Sequence, residues 1–112
     1  MVAPTVGARY TPPVRIIARR TLQEFWSDPR YRDAEPQLRA WFTEVKRAEW
    51  HTPAEIKAAH RNASFLANNR VIFNIAGNKY RLVVAVKYTA LIVFIRFVGT
   101  HAQYDAIDAE EV

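Results

Sequence analysis

Cysteine is absent from the sequence, which removes disulfide frameworks, thiolate zinc sites and thiol nucleophiles together. Acids are missing from a long internal stretch: residues 56–104 hold Lys57, Arg61, Arg70, Lys79, Arg81, Lys87 and Arg96 but no aspartate or glutamate. A two-metal nuclease needs carboxylate ligands around its ions, and this stretch offers none. No apolar run approaches the roughly 18 residues of a membrane-crossing helix, and no segment has the pattern of a basic amphipathic surface helix. The three histidines, His51, His60 and His101, stand at no metal-binding spacing, so neither a metal centre nor another cofactor is expected. The opening "MVAPTVGARYTPPV" lacks a charged segment followed by an apolar core and is not a secretory signal. Residues 1–13 read as a flexible extension, residues 14–112 as one domain, and the protein as cytoplasmic with no membrane partner. There are no internal repeats and no low-complexity tract.

What is present is a folded, cationic chain. A length of 112 residues suits a single domain with one core, and an apolar fraction of 50% with 12% aromatics is that of a globular protein. A net charge of +5 and a pI near 9.9 predict an anionic partner, nucleic acid first.

The first half reads as helical and the second as sheet. "VRIIA" suits a short strand after Pro13. "RRTLQEFW" reads as a helix ended by Asp28-Pro29. In "EPQLRAWFTEVKRAEW", Leu38, Trp41, Phe42, Val45 and Ala48 form one apolar helical stripe. "TPAEIKAAH" has Thr52 at the N-cap, Pro53 at the first helical position and Glu55 at the reciprocal position of a capping box. "RVIFNI", "KYRLVVAVKY" and "LIVFIRFV", separated by turns at Gly77-Asn78 and Thr89-Ala90, predict a three-stranded antiparallel meander. The turns set Asn74 opposite Arg81 and Val83 opposite Arg96. One face then carries Val71, Phe73, Ile75, Tyr80, Leu82, Val84, Val86, Leu91, Val93, Ile95 and Phe97 and must pack on the helices. The other carries Arg70, Ile72, Asn74, Lys79, Arg81, Val83, Ala85, Lys87, Ile92, Phe94 and Arg96. The expected class is a small α+β domain with helices packed on one face of an antiparallel sheet.

In that register Arg81 lies diagonal to Arg96, and Lys79, Arg81, Arg96 and His101 converge at one end of the second face. "THAQYD" starts a terminal helix in which Thr100 and Gln103 form a capping box. His101 and Tyr104 share one side of it, with Asp105 four residues from His101 and able to orient its ring. RNA cleavage by the ribose 2′-OH needs a group that takes its proton, cations at the phosphoryl oxygens and an acid for the leaving oxygen; it needs no metal. Plainer roles compete at each position. Strand arginines solubilise, a histidine after a strand caps a helix, and Tyr104 can pack at a core edge. His51 and His60 read as surface residues, and Trp26, Trp41 and Trp50 as members of the helical layer, with partial exposure of Trp50 left open.

"RIIARRTLQEFW", "FNIAGNKYRLVVAVKY" and "FIRFVGTHAQYD" resemble the HigB family of toxins from bacterial type II toxin–antitoxin systems, within the RelE superfamily. The resemblance spans about residues 14 to 108, and the first 13 residues depart from it. It implies a small α/β fold and an endoribonuclease (mRNA interferase) that cuts messenger RNA in the ribosomal A site, inhibits translation and is neutralised by a cognate helix-turn-helix antitoxin, HigA-like. By motif it implies Arg81, Arg96, His101 and Tyr104 as catalytic residues. Lys79, Arg70, Lys87, Arg61 and Asn74 of the basic surface are the candidate RNA-binding residues. Two alternatives stay open: a non-catalytic RNA- or ribosome-binding module using the same face, and a DNA-binding regulator, against which the lack of a basic helix-turn-helix counts.

Overall fold

The computed structural model describes residues 14–112; the expected extension over residues 1–13 lies outside them. Strand β1 (Arg15–Ile17) leads into helix α1 (Arg19–Ser27), a 3-10 helix (Pro29–Ala34), α2 (Glu35–Lys46) and α3 (Pro53–Ala59). Then come β2 (Ser64–Leu66), β3 (Arg70–Ile75), β4 (Tyr80–Lys87), β5 (Ile92–Thr100) and a short α4 (His101–Asp105). The strands form one sheet in the order β1-β5-β4-β3-β2.

The class is α+β as expected, but the sheet is mixed. The meander is antiparallel, whereas β1 pairs parallel to β5, Ile16 opposite Val93. A parallel neighbour requires a long crossover, and the whole helical segment between β1 and β2 lies in that connection. β2 is an edge strand antiparallel to β3, too short to show a period in the sequence.

The first three helices bury their apolar residues: Leu22 and Trp26 from α1, Leu38, Trp41 and Val45 from α2, and Ile56 from α3. The Thr52–Glu55 capping box is formed. Asp28-Pro29 ends α1 as anticipated, and it also starts the 3-10 helix, with the Asp28 carboxylate accepting from Arg30 N at 2.9 Å. Prolines fit the first turn because that N–H has no partner there. Helix α2 stops at Lys46 rather than continuing to Trp50.

Trp50 is nonetheless buried, at 3% exposure, a full member of the helical layer rather than a partly exposed one. It stacks on Phe73 at 5.9 Å, and Trp41 and His60 meet the same Phe73 ring edge-on at 5.5 and 5.0 Å. His60 is therefore a packed side chain rather than a surface one, because its imidazole supplies an aromatic edge to two rings. Phe73→Ala should cost about 3–5 kcal/mol of stability, read as a shifted denaturant midpoint. A midpoint equal to wild type would contradict the packing role of this cluster.

The first hairpin has the expected register, Asn74 opposite Arg81. The second keeps it from Lys87–Ile92 to Val84–Ile95 and then slips: Val83 faces Phe97, and Arg96 is the extra residue of a β-bulge. A bulge reverses the alternation beyond it. Phe97 therefore turns to the second face, correcting its assignment to the helix side, and Val98 packs toward the helices instead.

The second face is not open. Ile72 and Val83 are buried there beneath Ala109, and Leu66, Phe97, Tyr104, Ile107 and Val112 complete that small core. The segment after β5 folds back over the sheet, held by Asn68 Nδ2 donating to the Glu110 carbonyl at 3.1 Å and by Arg70 donating to the Val112 carbonyl.

Candidate functional site

The site is built where β5 passes into α4. Thr100 Oγ1 accepts from Gln103 N at 3.1 Å and Thr100 N donates to Gln103 Oε1 at 2.8 Å, so the expected capping box is formed. Gly99 permits it: a Cβ there would lie 2.6 Å from Phe97 Cζ and 2.7 Å from Gln103 Oε1. His101 is the first residue of the helix and is exposed, its Nδ1 3.3 Å from Asp105 Oδ2. The carboxylate thus faces one ring nitrogen and leaves Nε2 for a ligand. Tyr104 is half-buried, its ring centroid 6.5 Å from that of Phe97, so part of its role is packing.

Across the strands, Asn74, Arg81 and Gly99 form one row, two residues short of His101. Asn74 is exposed, and Arg81 is half-buried with Nη1 donating to the Asn78 carbonyl at 3.2 Å. Arg81, Asn74, His101 and Tyr104 are thereby brought to one end of the sheet.

The other expected members are not gathered there. The bulge leaves Arg81 opposite Gly99, so Arg96 is about 10 Å away at the strand rise per residue rather than diagonal to it. Arg96 is exposed and lies over the Phe94 ring at 5.5 Å. Lys79 is ion-paired with Asp33 of the 3-10 helix, which ties it toward the helical layer. Arg70 binds the Asn68 and Val112 carbonyls beneath the C-terminal segment. Lys87 is exposed at the far end of β4. Arg61 borders a cleft of about 430 Å³ between α2 and β3, lined also by Trp41, Glu44 and His60 and reaching Asn74. Among the described residues no three histidine, aspartate or glutamate side chains cluster as metal ligands would.

The acid-free stretch of sequence is not acid-free in space. Asp33 accepts from Lys79 and from the Tyr80 hydroxyl, and Glu44 Oε2 lies 3.0 Å from His60 Nε2. The Lys79 and Tyr80 hydrogen bonds hold the Asp33 carboxyl below its usual range, while Asp33 raises Lys79. Burial, and then Asp33, push the Tyr80 phenol up. Hydrogen bonds from Arg30 bring Asp28 down to about 2. The sign follows for stability. A lowered carboxyl contributes fully above its unfolded value of 3.8 and loses that contribution as pH falls through the folded value; the raised Lys79 and Tyr80 lose theirs on the alkaline side. Asp33→Asn should therefore flatten the fall in melting temperature below pH 3.8, and an acid limb as steep as wild type would contradict the network.

Two side chains of this region were not anticipated. Tyr31, from the 3-10 helix, accepts from Gln103 Nε2 at 3.2 Å, and Asp33 anchors Lys79. The signal lay in "DPRYRDA", where Asp28 before Pro29 is as good a helix start as a stop.

A small five-stranded mixed sheet with α1, α2 and α3 packed on one face is consistent with the RelE-like class of small α+β proteins. A family model described as HigB_toxin, the RelE-like toxic component of a toxin-antitoxin system, matches residues 34–107, about two thirds of the chain. The chain belongs to that family, and it is the toxin component of a toxin–antitoxin system, which implies an antitoxin partner. The match begins later than the resemblance seen from Val14 onward. No curated protein sequence matches the chain. Among the described residues, no helix is long and apolar enough to cross a membrane.

Proposed function

We propose that this toxin is a metal-independent endoribonuclease that cleaves messenger RNA in the ribosomal A site, acts in the cytoplasm and is silenced by a HigA-like helix-turn-helix antitoxin. The observation that carries the reading is the exposed His101, oriented by Asp105 beside the Asn74–Arg81–Gly99 row. His101 takes the proton of the attacking 2′-OH through the nitrogen that Asp105 leaves free. Arg81 faces the scissile phosphate and neutralises charge growing on its oxygens. Tyr104 offers its phenol at the leaving oxygen, and Arg96 with its Phe94 platform contacts the flanking strand. Asn74, Lys87 and Arg61 add contacts to bases or phosphates, whereas Lys79 and Arg70 serve mainly the fold through their intramolecular partners.

Half-burial of Tyr104 and the separation of Arg96 from Arg81 favour the second reading, a binding module without chemistry. Cleavage of messenger RNA on programmed ribosomes decides between them. Both predict charge-driven binding: with about four phosphates engaged, log affinity should fall with log salt at a slope near −3, about −0.7 per contact on a single strand. Affinity unchanged between two ionic strengths would contradict the cationic surface.

A further inference from the structure

Helix α4 has five residues, and such a helix has little stability of its own. His101 is exposed, with Asp105 of the same helix as its hydrogen-bond partner, so the fold must fix the helix itself for the ring to be placed. Two connections do this. One is Tyr104 against Phe97. The other is Gln103, whose amide is held at both ends: Oε1 accepts from Thr100 N at 2.8 Å and Nε2 donates to Tyr31 Oη at 3.2 Å. The bond to Thr100 N settles which end of the amide is oxygen, leaving the NH₂ for the phenol. Tyr31 is a firm acceptor. Its ring stacks on Phe25 at 4.5 Å and 3°, meets Tyr80 edge-on at 6.2 Å, and has the Arg30 guanidinium 5.0 Å from its centroid.

We propose that Gln103 is a positioning residue: by joining the first turn of α4 to Tyr31 of the 3-10 helix, it sets where His101 stands relative to Arg81. The proposal rests on the ribonuclease reading for its catalytic consequence, but the Gln103–Tyr31 connection, here called the latch, can be read without activity. Gly99 belongs to it, since its missing side chain leaves the space Gln103 Oε1 occupies.

The test uses the full chain. Tyr31→Phe keeps the stacked ring and removes only the acceptor; Tyr88→Phe removes a half-buried hydroxyl at the opposite end of the sheet as control. Tyr31→Phe is expected to shift the His101 ring nitrogen resonances and lower single-turnover cleavage on programmed ribosomes by about 10–100-fold, the scale of a misplacement near 1 Å, with ribosome affinity unchanged. Tyr88→Phe should do neither. Gln103→Ala, which also loses the Thr100 N bond of the capping box, should show at least that defect, and the double variant Tyr31→Phe/Gln103→Ala should cleave no slower than Gln103→Ala alone, because the connection to Tyr31 is already gone in it. His101 resonances unmoved by Tyr31→Phe, or a wild-type cleavage rate in that variant, would overturn the proposal, as would fully multiplicative losses in the double variant. A wild-type chain that cleaves nothing would overturn the ribonuclease reading alone, and the His101 resonances would then decide the latch.

Discussion

His101→Gln is expected to lower messenger-RNA cleavage by about 10²–10⁴-fold, the range lost when a positioned proton-transfer group is removed, while ribosome binding barely changes. The substitution is suited to the question because the imidazole is half-exposed, at 54%, and supports no core contact. Glutamine keeps a polar group within reach of Asp105 but cannot exchange a proton near neutral pH. The folded state should be retained, so a fall in rate is attributable to chemistry. A variant that binds and cleaves as wild type would remove His101 from the mechanism and return the protein to a binding module.

The second large effect is expected from Arg81→Ala. If its guanidinium meets the phosphoryl oxygens as an aligned donor does, its loss raises the barrier by about 3–4 kcal/mol, several hundredfold in rate. Part of the loss should appear in affinity, since a phosphate contact goes with it. Arg81→Lys should recover affinity more than rate, because an ammonium supplies charge without the planar fork. Arg96→Ala should be weaker in the chemical step and visible mainly in binding, since the bulge sets it about three residues along the strand from the Arg81 row. Equal kinetic losses at Arg81 and Arg96 would contradict that division of roles.

Legibility of this fold followed local chemistry. The Thr52–Glu55 and Thr100–Gln103 capping boxes, the Asn74–Arg81 register and the 101/105 pair are consequences of short-range spacing, and each is present. The Arg96 bulge is not written in alternation, because "FIRFVG" reads as a regular strand until the sheet must twist. That one extra residue separated Arg96 from Arg81 and sent Phe97 to the other face. The parallel pairing of β1 and the folding back of residues 104–112 over Ile72 and Val83 are long-range choices with no local mark. So are the partners of Lys79 and Arg70, taken from Asp33 and the Val112 carbonyl. A run of cations in sequence thus became in space structural contacts for Lys57, Arg70 and Lys79 and a smaller set open to a ligand.

The most direct measurement is single-turnover cleavage of a defined messenger RNA on programmed ribosomes in the presence of a metal chelator, at a concentration that leaves the ribosomes intact, with binding followed in parallel for wild type, His101→Gln and Arg81→Ala. The account predicts cleavage by wild type at the A-site codon, retained binding with the rate reduced by about 10²–10⁴-fold in His101→Gln, and losses in both quantities in Arg81→Ala. Ribosome binding by wild type without any cleaved message, or full cleavage by both variants, would contradict it.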